Sequence, residues 1–297
     1  MSSIILNGKE LASNLRSRMG EQVKNWTASR RSPGLAVVLV GENPASQSYV
    51  TAKEKTCHDL GMISRDIRKP ADFSETELLA LVDELNQDPS VDGILIQLPL
   101  PDHMDAQKII HRIDPSKDVD GFHPVSIGKM VLGEDTFLPC TPHGVVKLLE
   151  LTGLSLAGKE VVILGRSNIV GKPLALLLMQ APHHCTVTVC HTKTVNLKDH
   201  TLRADIIIAA VGRPHTLKAS MVKAGTVVID VGVNRVDNPQ SPKGYSLVGD
   251  VDYQDLLPLA SHITPVPNGV GPMTITMLMY NTIKSYCLRE GLEFPDF

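Results

Sequence analysis

Apolar positions along the chain follow two different periods. Ile4, Ile5 and Leu6 form a short apolar run, read as a first strand. Leu11, Leu15, Met19 and Val23 then recur every four residues, the repeat of an amphipathic helix. Pro33-Gly34 breaks that repeat, and residues 35–40 are an unbroken apolar run of the kind a doubly covered parallel strand needs. After a turn over residues 41–45, a helix is predicted from Ser46 towards Gly61. Ser74 and Glu77 stand at capping-box spacing before a leucine-rich helix ending near Asn86, and residues 91–97 form the next strand.

A second block repeats this grammar. Thr141 is placed as an N-cap before Pro142 at the first helical position, with the helix running to about Leu151. Strands are predicted over residues 160–164, 186–190, 204–211 and 226–231, with helices over 171–180 and, at the end, 273–289. Strand and helix alternate throughout, so the expected class is α/β. The stretch from Gly133 to Thr141 is the chosen boundary: residues 1–139 with 272–297 form one domain and residues 140–271 the other.

Composition narrows the possible partners. The chain has 297 residues, 42% of them hydrophobic and 21% charged, with a net charge of −3. Its basic residues are scattered, which argues against a nucleic-acid partner. No apolar stretch reaches the roughly 18–20 residues of a membrane span, and the start lacks the features of a signal peptide. Five widely spread cysteines do not form a disulfide framework, which fits a reducing cytoplasm.

Five segments carry candidate chemistry. In residues 161–173, a buried strand runs through Gly165, Arg166 and Ser167 into a helix opened by Gly171. Backbone N–H groups at such a turn can receive a phosphate, although Ser167 stands where the usual dinucleotide fingerprint has its second glycine. Tyr49 and Lys53 are four residues apart and share a helix face. The lysine is either an ordinary exposed cation or a desolvated amine able to exchange protons near neutrality. Gln97 ends an apolar strand, where open α/β sheets present ligand groups, or else satisfies loop backbone. Asp118 and Asp120 precede Gly121 and are either turn formers or functional carboxylates. Pro265, Pro267, Gly269, Gly271 and Pro272 define a rigid loop before the final helix, suited to a ligand or to a tight crossing.

A histidine- and cysteine-rich stretch from His183 to His191 carries no metal site in this reading. With residues 186–190 as a strand, Cys190 points away from Cys185 and His191, so the set does not converge.

Taken together, these segments resemble the bifunctional methylenetetrahydrofolate dehydrogenase/cyclohydrolase family. The resemblance runs from Asn7-Gly8-Lys9 to Thr274 and rests on the combination of Tyr49 with Lys53, Gln97-Leu98-Pro99, Asp118-Val119-Asp120-Gly121, Pro139-Cys140-Thr141-Pro142, Gly165-Arg166-Ser167 and Pro265-Val266-Pro267. It implies an N-terminal α/β catalytic domain, a Rossmann-type NADP-binding domain, and a C-terminal helix returning to the first. By the same resemblance Lys53 is the catalytic lysine, Gln97 its hydrogen-bonding partner and Tyr49 the residue stacked on the folate. Asp120 anchors the pterin, and Pro265 and Gly269 contact substrate. Thr141, Gly165, Arg166, Ser167, Thr192 and Val233 contact NADP. A cytoplasmic homodimer is implied as well. Asn268 departs from the family loop, which usually reads Pro-Gly-Gly-Val-Gly-Pro, but asparagine is the non-glycine residue that best tolerates positive φ.

One cofactor argument is independent of the family. NAD-specific Rossmann proteins place an acid after their second strand, about 20 residues past the glycine turn. Here that strand ends in His191-Thr192-Lys193-Thr194, with Arg166 on the turn itself. A 2′-phosphate suits such a set, so NADP is expected over NAD. The competing assignments are a catalytically dead folate-binding protein, which would be expected to lack Lys53, Gln97 or Asp120, and a monofunctional dehydrogenase.

Overall fold

The central strands of both parallel sheets form where the sequence concentrates apolar residues without interruption. A computed structural model describes residues 3–241 and 244–297. In chain order the elements are β1 (Ile4–Ile5), α1 (Gly8–Thr27), β2 (Gly34–Val40), α2 (Pro44–Asp59), β3 (Ile63–Lys69), α3 (Glu75–Gln87), β4 (Gly93–Ile96), α4 (Ala106–Ile110), α5 (Pro124–Leu132) and α6 (Cys140–Glu150). There follow β5 (Glu160–Leu164), α7 (Gly171–Met179), β6 (Thr186–Cys190), α8 (Leu197–Arg203), β7 (Ile206–Ala209), β8 (Val227–Asp230), β9 (Asn234–Asp237), β10 (Tyr245–Val248), α9 (Tyr253–Leu256), β11 (His262–Ile263) and α10 (Val270–Glu290).

These elements form two compact units. One comprises Ser13–Cys140 with Ile275–Phe297. Its parallel sheet has the order β3-β2-β4, and every residue of the central strand β2 is buried. Leu78, Val82 and Leu85 of α3 pack on Ala36, Val38, Ile94 and Ile96. The capping box at Ser74 and Glu77 opens α3 as expected from its spacing. Helix α2 begins two residues earlier than expected because the Asn43 side chain accepts from the N–H groups of Ala45 and Ser46. The polar strand β3 was not anticipated. It pairs on one side only, and Ile63–Lys69 is part exposed throughout, so no apolar run marks it.

Part of α10 belongs to this unit. Asn281 is buried and donates from Nδ2 to the carbonyls of Val119 at 2.8 Å and Leu138 at 2.9 Å. Ser285 Oγ donates to Asp92 O at 2.6 Å, and Tyr286 OH to Arg31 O at 2.9 Å. The last helix thus ties down the loops that follow α4 and α5 and the backbone that leads into β2 and β4.

The other unit comprises the chain up to Ala12 with Thr141–Thr274. Its sheet has the order β1-β11-β8-β7-β5-β6, every pairing parallel. From β5 the chain moves outward to β6 and then returns to β7 on the other side of β5. Strand order therefore reverses between β5 and β7, the switch point at which open α/β sheets bind ligands. The first strand differs from the expected domain division. Ile4 pairs with His262 and Ile5 with Ile263, which puts β1 in this second sheet and not with residues 13–140. A two-residue strand carries no local signal of its partner. Strands β9 and β10, an antiparallel pair, also lacked an apolar run.

Replacing Asn281 with leucine keeps the branching at Cγ but leaves the carbonyls of Val119 and Leu138 without their donor. We expect a stability loss of roughly 1–3 kcal/mol. Urea denaturation monitored by fluorescence checks this, and an unchanged midpoint would show that neither bond matters.

Candidate active site

On α2, the phase set by the Asn43 cap turns Lys53 inward with Val50, Thr56 and Cys57, while Lys55 stays exposed. Lys53 is 8% exposed and Tyr49, one turn earlier on the same helix, is 36% exposed. Lys53 Nζ donates to Gln97 Oε1 at 2.9 Å. Gln97 sits just past β4, its backbone N–H donating to Val38 O at 2.8 Å and its Nε2 to Leu98 O at 2.7 Å. Because Nε2 is committed to a carbonyl, the amide oxygen is the atom facing the lysine. That acceptor serves an amine and an ammonium alike and adds no charge. Burial pushes the Lys53 pKa down, opposed chiefly by the nearby carboxylate of Asp120.

The two aspartates of the Asp118-Val119-Asp120-Gly121 segment have different roles. Asp118 is buried and accepts from Ser126 Oγ at 2.7 Å, His123 N at 2.8 Å and Phe122 N at 3.2 Å, so it is the turn former. Asp120 instead lies beside Cys140 and acts electrostatically on Lys53. Burial raises its carboxyl to about 6, against the attraction of Lys53. Gly121 has φ +75°, and a Cβ there would stand 2.6 Å from Pro139 N, so nothing larger fits beside the segment that delivers Cys140. The Cys140 thiol donates to Val119 O at 3.3 Å, and burial raises its pKa far above the usual thiol range. Cys140 and Asn281 complete the surroundings of Lys53 and Asp120, and sequence reasoning assigned neither a role. Cys140 was present in a quoted motif, the one available signal. Asn281 lies within a long apolar helix and gave none.

In the other unit, β5 runs into Gly165. Its φ is +119°, and a Cβ would meet Ala210 O at 2.2 Å. A Cβ on Gly171 would meet Gly165 O at 2.2 Å, so both glycines are needed for the turn to close on itself. Ser167 Oγ accepts from Val170 N at 3.1 Å and Gly171 N at 3.4 Å. Its own hydroxyl proton therefore remains available to an anion. Arg166, Thr192 and Lys193 are exposed, and no acid follows β6 before Asp199. A narrow glycine turn, a helix start and a cationic surface fit a dinucleotide with an additional phosphate.

The remaining expected residues fall elsewhere in that unit. Thr141 lies inside the first turn of α6 and not at its N-cap, since the helix starts at Cys140; its hydroxyl meets Thr274 Oγ1 at 2.9 Å. Val233 is 44% exposed, between Gly232 and β9. The proline-rich loop folds against the start of α1: Lys9 N donates to Asn268 O at 3.0 Å, and a Cβ on Gly8 would meet Gly269 O at 1.9 Å. Asn268 takes φ +82°, the conformation expected of an asparagine standing for glycine. Gly269 must itself be small, because a Cβ would stand 2.4 Å from Pro265 O. Lys53, Gln97 and Asp120 are thus brought together; Gly165, Arg166 and Ser167 form a second group.

Among the described residues no group of three His, Cys, Asp or Glu side chains converges as a metal site. Cys190 lies in the sheet core, whereas the Cys185 thiol donates to Leu156 O at 3.4 Å. Among the described residues no helix is long and apolar enough to cross a membrane.

Comparison with known proteins agrees with this geometry. Residues 6–120 match the catalytic domain of tetrahydrofolate dehydrogenase/cyclohydrolase, and residues 139–290 match the NAD(P)-binding domain of the same family. The bifunctional protein FolD of Oceanobacillus iheyensis is 54% identical over 281 residues, covering 95% of this chain and 96% of that protein. The crystal structure of the FolD methylenetetrahydrofolate dehydrogenase/cyclohydrolase of Campylobacter jejuni is 47% identical with a TM-score of 0.92, covering 97% of this chain and all of that one (100%). The Trypanosoma brucei FolD enzyme, solved with NADP cofactor and an inhibitor, is 35% identical with a TM-score of 0.92, covering 96% of this chain and 98% of that one. By sequence along nearly its whole length and by fold, the chain belongs to the tetrahydrofolate dehydrogenase/cyclohydrolase family.

Proposed function

We propose that this protein oxidises 5,10-methylenetetrahydrofolate to 5,10-methenyltetrahydrofolate with NADP, then hydrolyses that product to 10-formyltetrahydrofolate. The observation that carries the reading is the buried Lys53 amine, held by the neutral Gln97 amide beside Asp120. NADP, when bound, accepts the hydride. The residues expected to hold it are Thr141, Gly165, Arg166, Ser167, Thr192 and Val233. Tyr49, Asp120, Pro265 and Gly269 are proposed to hold the folate.

The first step leaves a cation on the one-carbon bridge. A neutral amine next to that carbon avoids the like-charge repulsion an ammonium would impose, and burial of Lys53 favours the neutral form. In the second step water adds to the cationic carbon, and Lys53 takes the proton released. As the bond from that carbon to N5 breaks, the remaining hydroxyl proton is passed to N5 and the carbonyl of the formyl group forms. Gln97 keeps the amine in line without supplying charge. A homodimer working in the cytoplasm completes the proposal. Sedimentation of the purified chain tests the dimer.

Lys53→Met is expected to abolish methenyltetrahydrofolate hydrolysis while folate and NADP still bind. An assay at two wavelengths, following methenyl formation and then its decay, separates the two reactions. Hydrolysis near the wild-type rate, after subtraction of the spontaneous reaction, would remove Lys53 from its role.

The ionised Asp120 carboxylate accepts from the pterin amino and ring N–H groups, and Asp120→Ala is expected to weaken folate binding by about 1.5–3 kcal/mol. With the carboxyl raised to about 6, folate KM should fall as pH rises through that value, since the deprotonated form is the acceptor. Asp120→Asn should flatten this profile. A profile identical to wild type assigns the inflexion to another group.

Arg166→Ala is expected to raise the KM for NADP and narrow the preference over NAD, because a cation facing the 2′-phosphate is lost. Wild-type catalytic efficiency with NAD equal to that with NADP would overturn the assignment.

A further inference from the structure

Beyond the residues already placed, the NADP unit contains two buried carboxylates at the carboxyl ends of its strands. Asp230 ends β8 and Asp250 follows β10; they are 3% and 0% exposed. Among the described residues neither forms an ion pair. Burying a carboxylate without a cation is costly unless hydrogen bonds compensate, and here they are numerous. Asp250 Oδ2 accepts from Val211 N at 2.6 Å and Gly212 N at 2.9 Å, while Oδ1 accepts from Arg213 N at 2.9 Å and Asn234 Nδ2 at 2.8 Å. Asp230 in turn accepts from Asp250 N, Val251 N and Gly232 N, each at 3.0 Å. A Cβ on Gly232 would lie 2.2 Å from the Asp250 carboxylate, so that segment packs directly onto it.

What the carboxylate holds matters more than its burial. The loop 211–213 leaves the end of β7, beside β5 at the point where strand order reverses. Its neighbour Ala210 is the residue whose carbonyl excludes a Cβ from Gly165. In a sheet of this order, the adenosine half of a dinucleotide extends over β6 and the nicotinamide half over β7 and β8. Three consecutive N–H groups of the β7 loop, and the residues flanking Val233 after β8, are thus fixed by one side chain on the nicotinamide side. We infer that Asp250 is a positioning residue for the nicotinamide half of NADP, acting through the loop 211–213 and the segment around Val233. This rests on the NADP reading given above. The loop is exposed at Gly212 and Arg213, so a ligand can lie against the surface that the carboxylate shapes from beneath.

The test compares NADP with adenosine 2′,5′-bisphosphate, a fragment carrying the adenosine half and its 2′-phosphate but no nicotinamide. Wild-type protein should bind both, by calorimetry; failure to bind either would overturn the NADP reading itself. In Asp250→Asn the NADP dissociation constant should rise about tenfold, the size of a lost charge-assisted hydrogen bond, with a fall in kcat for hydride transfer. Affinity for the bisphosphate should stay at the wild-type value, which a general loosening of the unit would not permit. Gly212→Ala supplies an independent perturbation. Gly212 has φ +66° with open space around a Cβ, so alanine strains only the loop backbone and leaves the core untouched. It should give the same split. Parallel loss of both ligands in Asp250→Asn, or unchanged NADP affinity in both variants, overturns the proposal.

Discussion

An ammonium group removed from water is expensive, and the catalytic unit is arranged around one lysine for which that cost is useful. Lys53 is held by an amide and not by a carboxylate, so its position is fixed without its charge being fixed. Each neighbouring element serves that condition. Asn43 sets the phase of α2, the end of β4 delivers Gln97, and Gly121 lets the chain carrying Cys140 pass close behind Asp120. Asn281 then ties down the carbonyl of Val119, the residue before Asp120.

The dinucleotide unit meets the opposite requirement, since an anion must be received and not a cation excluded. Backbone carries most of this. Gly165 and Gly171 are small because carbonyl oxygens occupy the places of their side chains. Ser167 shows how a departure from the usual glycine pattern can still suit the site. Its oxygen accepts two N–H groups at the start of α7, so its proton is not used by either of those bonds. Hence the same residue shapes the helix start and supplies a donor.

Much of both units could be read from local pattern. Strands β5 and β6 matched their expected limits because apolar and β-branched residues fill β6 and all of β5 after Glu160, and α3 because its capping box is a local interaction. Lys53 and Gln97 were legible as candidates through helix spacing and strand position. Their pairing was not, because 44 residues separate them and no periodicity reports a contact across strands. The misplacements share that cause. The pairing of β1 with β11, the polar edge strand β3 and the role of Asn281 all depend on partners distant in sequence. Thr141 failed for a local reason: helix α6 starts one residue earlier, and Thr274 takes its hydroxyl.

Sequence spacing also could not distinguish one buried aspartate from another, whereas counting acceptors does. An ionised carboxylate has about four lone-pair sites. Asp118 receives two donors from its own turn and one from Ser126 on α5, and Asp250 three from the loop 211–213 and one from Asn234 of β9, so each is close to saturated by the protein. Asp120 has the charge of Lys53 nearby, with no backbone N–H given to it among the described residues. It is therefore the carboxylate with acceptor capacity left over, and desolvation, with the charge of Asp118 added, keeps its pKa high. The Asp118-Val119-Asp120 repeat looks symmetrical in one dimension. Residues two apart that meet different surroundings give one aspartate to the fold and leave the other with acceptor capacity that the protein does not use.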